Sequence, residues 1–182
     1  RLKTHSYKTW DLTHLDTLYV DWEEAMTPSP LDGLIITGAP VEHLAYEEVN
    51  YWPELVEIID EAHLSCASTL GLCWAGFALA YLAGVDKEVF PQKLFGVFPM
   101  RSLVPSHPLM GTQDDCFLCP QSRHAGLPDE AMEAAQRQGR LRLLAHGEKV
   151  GYTIFETTDQ RQLMHLGHPE YNAGRILSEM GR

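Results

Sequence analysis

The stretch Ser68-Thr69-Leu70-Gly71-Leu72-Cys73-Trp74-Ala75-Gly76 ends an apolar run at a cysteine flanked by small residues, and a helical pattern begins directly after it. This reads as a strand, a tight turn and a helix, with the Cys73 side chain held on the turn as in a nucleophile elbow. Gly71 and Ala75 leave room for the backbones to approach closely at such a turn. The helix that follows aims its first amides at the thiol, which favours the thiolate and can stabilise an oxyanion. A buried core cysteine on a hydrophobic strand would give the same local pattern. A second motif is needed to decide between the two.

The order of elements around Cys73 is that of an α/β chain. Residues Arg1 to Met26 are mixed polar and aromatic and read as loop and short helix, ended by Pro28 and Pro30. Asp32-Gly33 introduces Leu34-Ile35-Ile36-Thr37, a β-branched run expected to be a fully buried parallel strand, closed by Gly38-Ala39-Pro40. Loops at the carboxyl ends of such strands are where open α/β sheets bind ligands. Between Tyr46 and His63, Val49, Trp52, Leu55, Val56, Ile59 and Ala62 recur at helical spacing, with Pro53 marking the first turn of the main part. Ser65 to Leu72 reads as the second strand, and Trp74 to Leu82 as the helix leaving the turn, stopped by Gly84. Strand, helix, strand, cysteine, helix is a doubly wound order, with a mostly parallel sheet and helices on both faces.

Lys87 to Gly126 is rich in proline, glycine and aromatics, and only Lys93 to Phe98 and Cys116 to Leu118 are expected as short strands. Asp129 to Gln138 reads as a surface helix. Leu141 to Ala145, Gly151 to Glu156 and Gln162 to Leu166 then follow as a β-meander. With no internal repeat, one domain over residues 1–182 is the simplest plan.

The last of these strands delivers Gly167-His168-Pro169-Glu170-Tyr171, before a helical pattern resumes from Ala173 to Met180. In extended backbone, residues two apart face the same way, so His168 and Glu170 share one side, and Pro169 keeps His168 extended. A cysteine at one strand end and a histidine with a carboxylate at another form a Cys-His-acid arrangement: His168 as base, Glu170 fixing its tautomer. This second motif turns the reading of Cys73 from core residue to nucleophile.

Composition narrows the partners. A formal net charge of -11 over 182 residues argues against nucleic acid or an anionic membrane surface, so any anionic ligand must be met by local cations. The four cysteines, Cys66, Cys73, Cys116 and Cys119, occur without a signal peptide or a long apolar segment, which points to a reduced, cytoplasmic setting. The chain starts at Arg1 and stops at Arg182 within a helical pattern, so it is expected to extend further at both ends in nature.

The segments Asp32 to Pro40, Tyr51-Trp52-Pro53, Leu72-Cys73-Trp74-Ala75, Lys93 to Val97, Ser122-Arg123 and Gly167 to Tyr171 together resemble the homoserine O-acyltransferase family in order and spacing. The resemblance implies a class I glutamine amidotransferase-like fold and a single acyltransferase catalytic domain. It also implies an acyl-CoA co-substrate, with no permanently bound cofactor and no metal, and a homodimer. It makes Cys73 the acyl-thioester nucleophile, His168 the proton acceptor and Glu170 its partner, and it places Lys93, Ser122 and Arg182 at substrate-contacting positions. The family's first strand, with its oxyanion-hole lysine, and its C-terminal tail lie outside residues 1–182, leaving the Trp74 amide for the oxyanion hole.

The residue matching Glu42 is the family's acyl-group selector, where glutamate resembles acetyltransferases and glycine succinyltransferases. Physically, a carboxylate there repels the free carboxylate of a succinyl group. The resulting expectation is an acetyl-CoA-dependent O-acetyltransferase acting on L-homoserine in methionine biosynthesis. The alternatives are L-serine as acceptor in cysteine biosynthesis, a homoserine O-succinyltransferase, a class I glutamine amidotransferase, and a silent binding module. Cys116-x-x-Cys119 has no second pair and no helix behind it, and His165 with His168 is spaced for a helix rather than a strand; ordinary packing explains both.

Overall fold

The computed structural model describes residues 1–4, 6, 12–27, 29–111 and 115–180. Residue contacts group the chain into two compact units: Arg1–Leu34 with Leu44–Thr69, and Ile35–His43 with Leu70–Arg182.

In the first unit, short helices α1 (Leu12–Leu18) and α2 (Trp22–Met26) precede a 3-10 turn (Tyr46–Glu48) and helix α3 (Trp52–Ser65). Pro53 stands in the first turn of α3, where its missing N–H costs nothing. The apolar stripe of α3 buries Trp52, Leu55, Ile58, Ile59 and Ala62, and Trp52 packs against Tyr46 with ring centroids 5.0 Å apart. The indole N–H of Trp22 donates to Glu61 Oε2 at 2.5 Å, tying α2 to α3.

Seven strands form one sheet: β1 (Gly33–Ile36), β2 (Ser68–Leu72), β3 (Glu88–Ser102), β4 (Cys116–Gly126), β5 (Leu141–Gly147), β6 (Gly151–Thr157) and β7 (Gln162–His165), in spatial order β1-β2-β7-β6-β5-β3-β4. Asp32 O accepts from Ala67 N at the start of β1 and β2, and His165 O accepts from Cys73 N at the end of β7 and β2. These three strands therefore finish at the same edge, which is the parallel part of the sheet. The pairs β3–β4, β3–β5, β5–β6 and β6–β7 run antiparallel. The connections within β5–β6–β7 are tight turns, too short for the crossover a parallel neighbour needs. The α/β architecture is the expected one, with its parallel character concentrated in β1, β2 and β7.

Two local expectations are corrected. Strand β1 is not fully buried: it lies at the sheet edge, Leu34 is buried and Ile35 is 65% exposed. The middle stretch is not mainly loop, because β3 and β4 are 15 and 11 residues long and pair from Glu88↔Gly126 to Arg101↔Cys116, with an irregularity between Val89 and Leu94. Pro91, Pro99 and Pro120 fit because, among the described residues, β4 is an edge strand and β3 pairs with β5 at Arg101 and Ser102, so missing N–H groups interrupt few ladders.

Helix α4 (Trp74–Leu82) is buried from Trp74 through Ala80, so its sequence is apolar all round. A Cβ on Gly71 would meet Leu79 Cδ1 at 2.8 Å and Ala75 O at 2.9 Å, so only glycine allows β2 this close to α4. Gly84 ends the helix at φ 82. Helices α5 (Asp129–Arg137) and α6 (Ala173–Met180) complete the second unit.

Candidate active site

Cys73 stands between β2 and α4 with φ 52 and ψ -118, a conformation that L residues rarely hold. Three backbone bonds over-determine it: its N–H donates to His165 O at 2.9 Å, and its carbonyl accepts from Gly76 N at 2.9 Å and Phe77 N at 3.3 Å. The residue thus stands at the turn between the end of β2 and the start of α4. A Cβ on Gly38 would lie 3.0 Å from Cys73 Cβ, 3.3 Å from its Sγ and 3.7 Å from Trp74 N. Glycine at 38 therefore leaves the space directly over the sulfur and the Trp74 amide open. Sequence reasoning had only the Trp74 amide here; the signal for Gly38 was the Gly38-Ala39-Pro40 closure of β1.

The electrostatics of Cys73 correct one expectation. Burial pushes its thiol from 9.0 up to about 12, and the negative charge of Glu42 adds to the rise. The Trp74 backbone amide and the Arg123 guanidinium pull in the other direction but do not win, and Glu170 raises it slightly further. A helix N-terminus stabilises a thiolate by at most a pKa unit or so at an exposed site, less than the penalty for charging a sulfur removed from water.

His168 follows β7 in the turn that begins at Leu166. Its N–H donates to Pro120 O at 2.9 Å, its Nδ1 lies 2.7 Å from Glu170 Oε1, and its ring stacks on Tyr171 with centroids 4.2 Å apart and planes at 19°. The expected extended segment is instead a turn: Pro169 and Glu170 lie in it, and the Tyr171 N–H closes it by donating to His168 O at 3.1 Å, which brings the His168 and Glu170 side chains together. Glu42 is buried, and its negative charge is felt at Cys73. Ser122 is buried on β4 opposite Phe95 of β3. Lys93 is at the surface, 3.4 Å from Glu179 Oε2 and with its Nζ 5.6 Å from the Phe95 ring centroid. Arg182 lies outside the described residues.

Arg123 was legible only as part of the Ser122-Arg123 segment, and its environment was not. It is fully buried, with Nε donating to Gln121 Oε1 at 2.9 Å, Nη2 to Val150 O at 2.6 Å and Nη1 to Ala125 O. Its guanidinium carbon lies 5.9 Å from the Phe77 ring centroid and 5.6 Å from that of Phe90. Burial lowers its pKa to about 10, which leaves it cationic at neutral pH. A cation held this way beside a sulfur favours negative charge developing there.

Among the described residues no group of three or more His, Cys, Asp or Glu side chains could hold a metal ion. Cys116 is exposed and Cys119 buried, because residues three apart on a strand point to opposite faces. No described helix is long and apolar enough to cross a membrane.

The comparison with known families covers the whole chain. The homoserine O-succinyltransferase family model covers residues 1–182. The chain belongs to this family. Members of similar sequence include the homoserine O-acetyltransferase of Bacillus subtilis strain 168, 38% identical over 180 residues, which span 98% of this chain and 58% of that protein. That of Acetivibrio thermocellus is 39% identical over 181 residues, 99% of this chain and 58% of that protein. This family member therefore spans a little under three fifths of the length of those relatives. Among solved structures, a glutamine amidotransferase of Thermotoga maritima superposes with a TM-score of 0.61 at 15% identity, over 89% of this chain and 67% of its own. The glutaminase domain of Trypanosoma brucei CTPS, solved with acivicin, gives 0.61 at 13% identity, over 90% and 78%. These likenesses establish the class I glutamine amidotransferase-like fold for this member of the family.

Proposed function

We propose that the chain carries the acyl-transfer site of an acetyl-CoA-dependent homoserine O-acetyltransferase working by a ping-pong route, in methionine biosynthesis and in the cytoplasm. The observation that carries the reading is the bond from Cys73 N–H to His165 O, which locks the turn bearing the sulfur to the end of β7, three residues before His168. Burial keeps the Cys73 thiol protonated at neutral pH, so the proton must leave as the sulfur attacks. In the first half-reaction His168 takes the thiol proton while Cys73 Sγ attacks the thioester carbonyl. The carbonyl oxygen becomes an oxyanion facing the Trp74 amide and the space under Gly38. Collapse breaks the bond to CoA sulfur, which leaves with the proton from His168, and an acetyl-cysteine remains. In the second, His168 removes the hydroxyl proton of homoserine as its oxygen attacks that thioester. Collapse expels Cys73 sulfur, which takes the proton back. Glu170 holds the His168 tautomer with Nδ1 protonated and stabilises the imidazolium formed in each half.

Glu42 supports acetyl over succinyl as the transferred group, since a buried carboxylate beside the sulfur disfavours a second carboxylate in the acyl pocket. Lys93 and Ser122, on facing strands, are assigned to the amino-acid acceptor. The test is mass spectrometry of the protein mixed with acetyl-CoA alone: one acetyl group on Cys73 is expected, with none in Cys73→Ser. Turnover of acetyl-CoA and homoserine without that adduct sinks the covalent route.

A further inference from the structure

The inner face of β4 carries Cys119, Gln121 and Arg123, two residues apart and all pointing the same way, and all three are buried. They form a connected polar chain. Arg123 Nε donates to Gln121 Oε1 at 2.9 Å, and Gln121 Nε2 donates to Cys119 Sγ at 3.4 Å. Cys119 Sγ donates to Pro120 O at 3.6 Å and lies 4.0 Å from His165 Nε2. His165 Nδ1 accepts from Gly167 N at 3.1 Å, so the neutral ring carries its proton on Nε2 and donates it toward Cys119. Burial lowers the pKa of His165, which keeps the ring neutral. The chain ends under the His168 turn, because Pro120 O also accepts His168 N–H. There is no slack at this end: a Cβ on Gly167 would meet Gln121 Nε2 at 2.5 Å, Cys119 Sγ at 2.7 Å and Pro120 O at 2.7 Å.

We propose that Gln121 is a positioning residue for His168, spanning the Arg123 guanidinium and the Cys119 sulfur so that the Gly167-His168 turn is held in one place. It rests on the reading of His168 as the base for Cys73. A side-chain amide suits this position because it must accept from Arg123 and donate to sulfur at once, and no other side chain of its length does both. The hydrogen bond from Gln121 to a thiol is weak, so the amide contributes geometry more than stability. Its cross-strand partner is Gly96, which presents no side chain of its own against Gln121.

The test uses Gln121→Glu, which still accepts from Arg123 but donates nothing to Cys119, with Gln121→Leu beside it. Three quantities are read on each folded variant: the single-turnover rate of Cys73 acetylation, the KM for acetyl-CoA, and the imidazole nitrogen NMR signals of His168 and His165. The expected result for Gln121→Glu is a tenfold or greater loss of rate, KM within threefold of wild type, and displaced His168 signals. A wild-type rate in the folded variant, a loss with unmoved His168 signals, or a loss confined to KM overturns the proposal. Should neither variant fold, the wild-type protein decides, since His165 found protonated at Nδ1 rather than Nε2 breaks the chain. His168→Ala is the control for the underlying reading: an unchanged acetylation rate there refutes His168 as base, whatever the Gln121 variants do.

Discussion

His168 Nδ1 and Glu170 Oε1 stand 2.7 Å apart although the carboxylate is half exposed, because the turn through Pro169, closed by the Tyr171 N–H on His168 O, folds the two side chains together. The contact fixes the proton on Nδ1 and leaves Nε2 as the basic nitrogen. Replacing Glu170 by Gln lets an amide donate to Nδ1, which puts the proton on Nε2, where it cannot act as base. Glu170→Gln is therefore expected to lower kcat by on the order of 10²–10⁴ and to be at least as damaging as Glu170→Ala. Steady-state rates of the two variants, with KM for acetyl-CoA near wild type, check this; a Gln variant faster than the Ala variant removes the tautomer argument.

The alkaline limb of stability follows from the buried thiols. Burial raises Cys73 from 9.0 to about 12 and Cys119 from 9.0 to about 11. A folded pKa above the unfolded one means that the native state holds the proton more tightly. The associated stability is complete below about pH 9 and is lost as pH rises through 9 towards 11 and 12. For Cys73 alone the loss between pH 9 and 11 is about 2 kcal/mol. Urea unfolding at pH 8, 9 and 10 should show a decline that Cys73→Ala and Cys119→Ala each make shallower, and equal slopes in all three proteins would contradict the burial of these sulfurs.

Much of this is legible in the sequence, and the reasons are local. The cysteine turn, the Pro53 helix start and the His168-Pro169-Glu170 segment are each fixed by neighbours a few residues away, so their patterns survive in the sequence. The β3–β4 ribbon was hidden because Pro91, Gly96, Pro99 and Pro120 are turn residues by local rule, and only the lack of a neighbouring strand makes them tolerable. The same holds at the site. That Gly38 faces the Cys73 sulfur, that Arg123 is a buried cation and that burial outweighs the α4 amides are long-range facts, decided by what packs together across the second unit.

Glu42 acts on two observables at once. Its charge helps raise the Cys73 pKa, so Glu42→Gly should lower that pKa and speed alkylation of Cys73 by iodoacetamide at pH 8. If Glu42 lines the acyl pocket, the same substitution removes a like charge from it, and succinyl transfer relative to acetyl transfer should rise by on the order of a few kcal/mol in relative kcat/KM. Faster alkylation without a change in donor preference would place Glu42 near the sulfur but outside the acyl pocket. An unchanged alkylation rate would contradict the electrostatic coupling itself.

Gly71 tests the packing that supports the turn. Its added Cβ would press on the backbone oxygen of Ala75 at 2.9 Å as well as on the mobile end of Leu79, so α4 or β2 must shift. Gly71→Ala should cost about 1–3 kcal/mol in chemical unfolding and slow Cys73 acetylation in the protein that remains folded. A neutral substitution on both counts would mean that α4 moves freely against β2.

The acceptor end turns on one ion pair. Lys93 Nζ is 3.4 Å from Glu179 Oε2, and the same glutamate pairs with Arg175 at 3.1 Å, so a carboxylate already occupies the place beside Lys93 that an amino-acid carboxylate would take. The pair is partly exposed on the lysine side and worth at most about 1 kcal/mol, which a bound substrate can displace. If Lys93 meets the acceptor, Glu179→Gln should lower the KM for homoserine a few-fold by removing that competitor, while Lys93→Ala should raise it tenfold or more, both with the KM for acetyl-CoA unchanged. Homoserine and serine differ by one methylene, worth about 1–3 kcal/mol in a fitted pocket, so the two should be compared side by side as kcat/KM. The expected order is homoserine over serine. A serine preference of tenfold or more would reassign the acceptor while leaving Cys73, His168 and Glu170 in their roles, and a Glu179→Gln variant with unaltered KM would move the acceptor carboxylate away from Lys93.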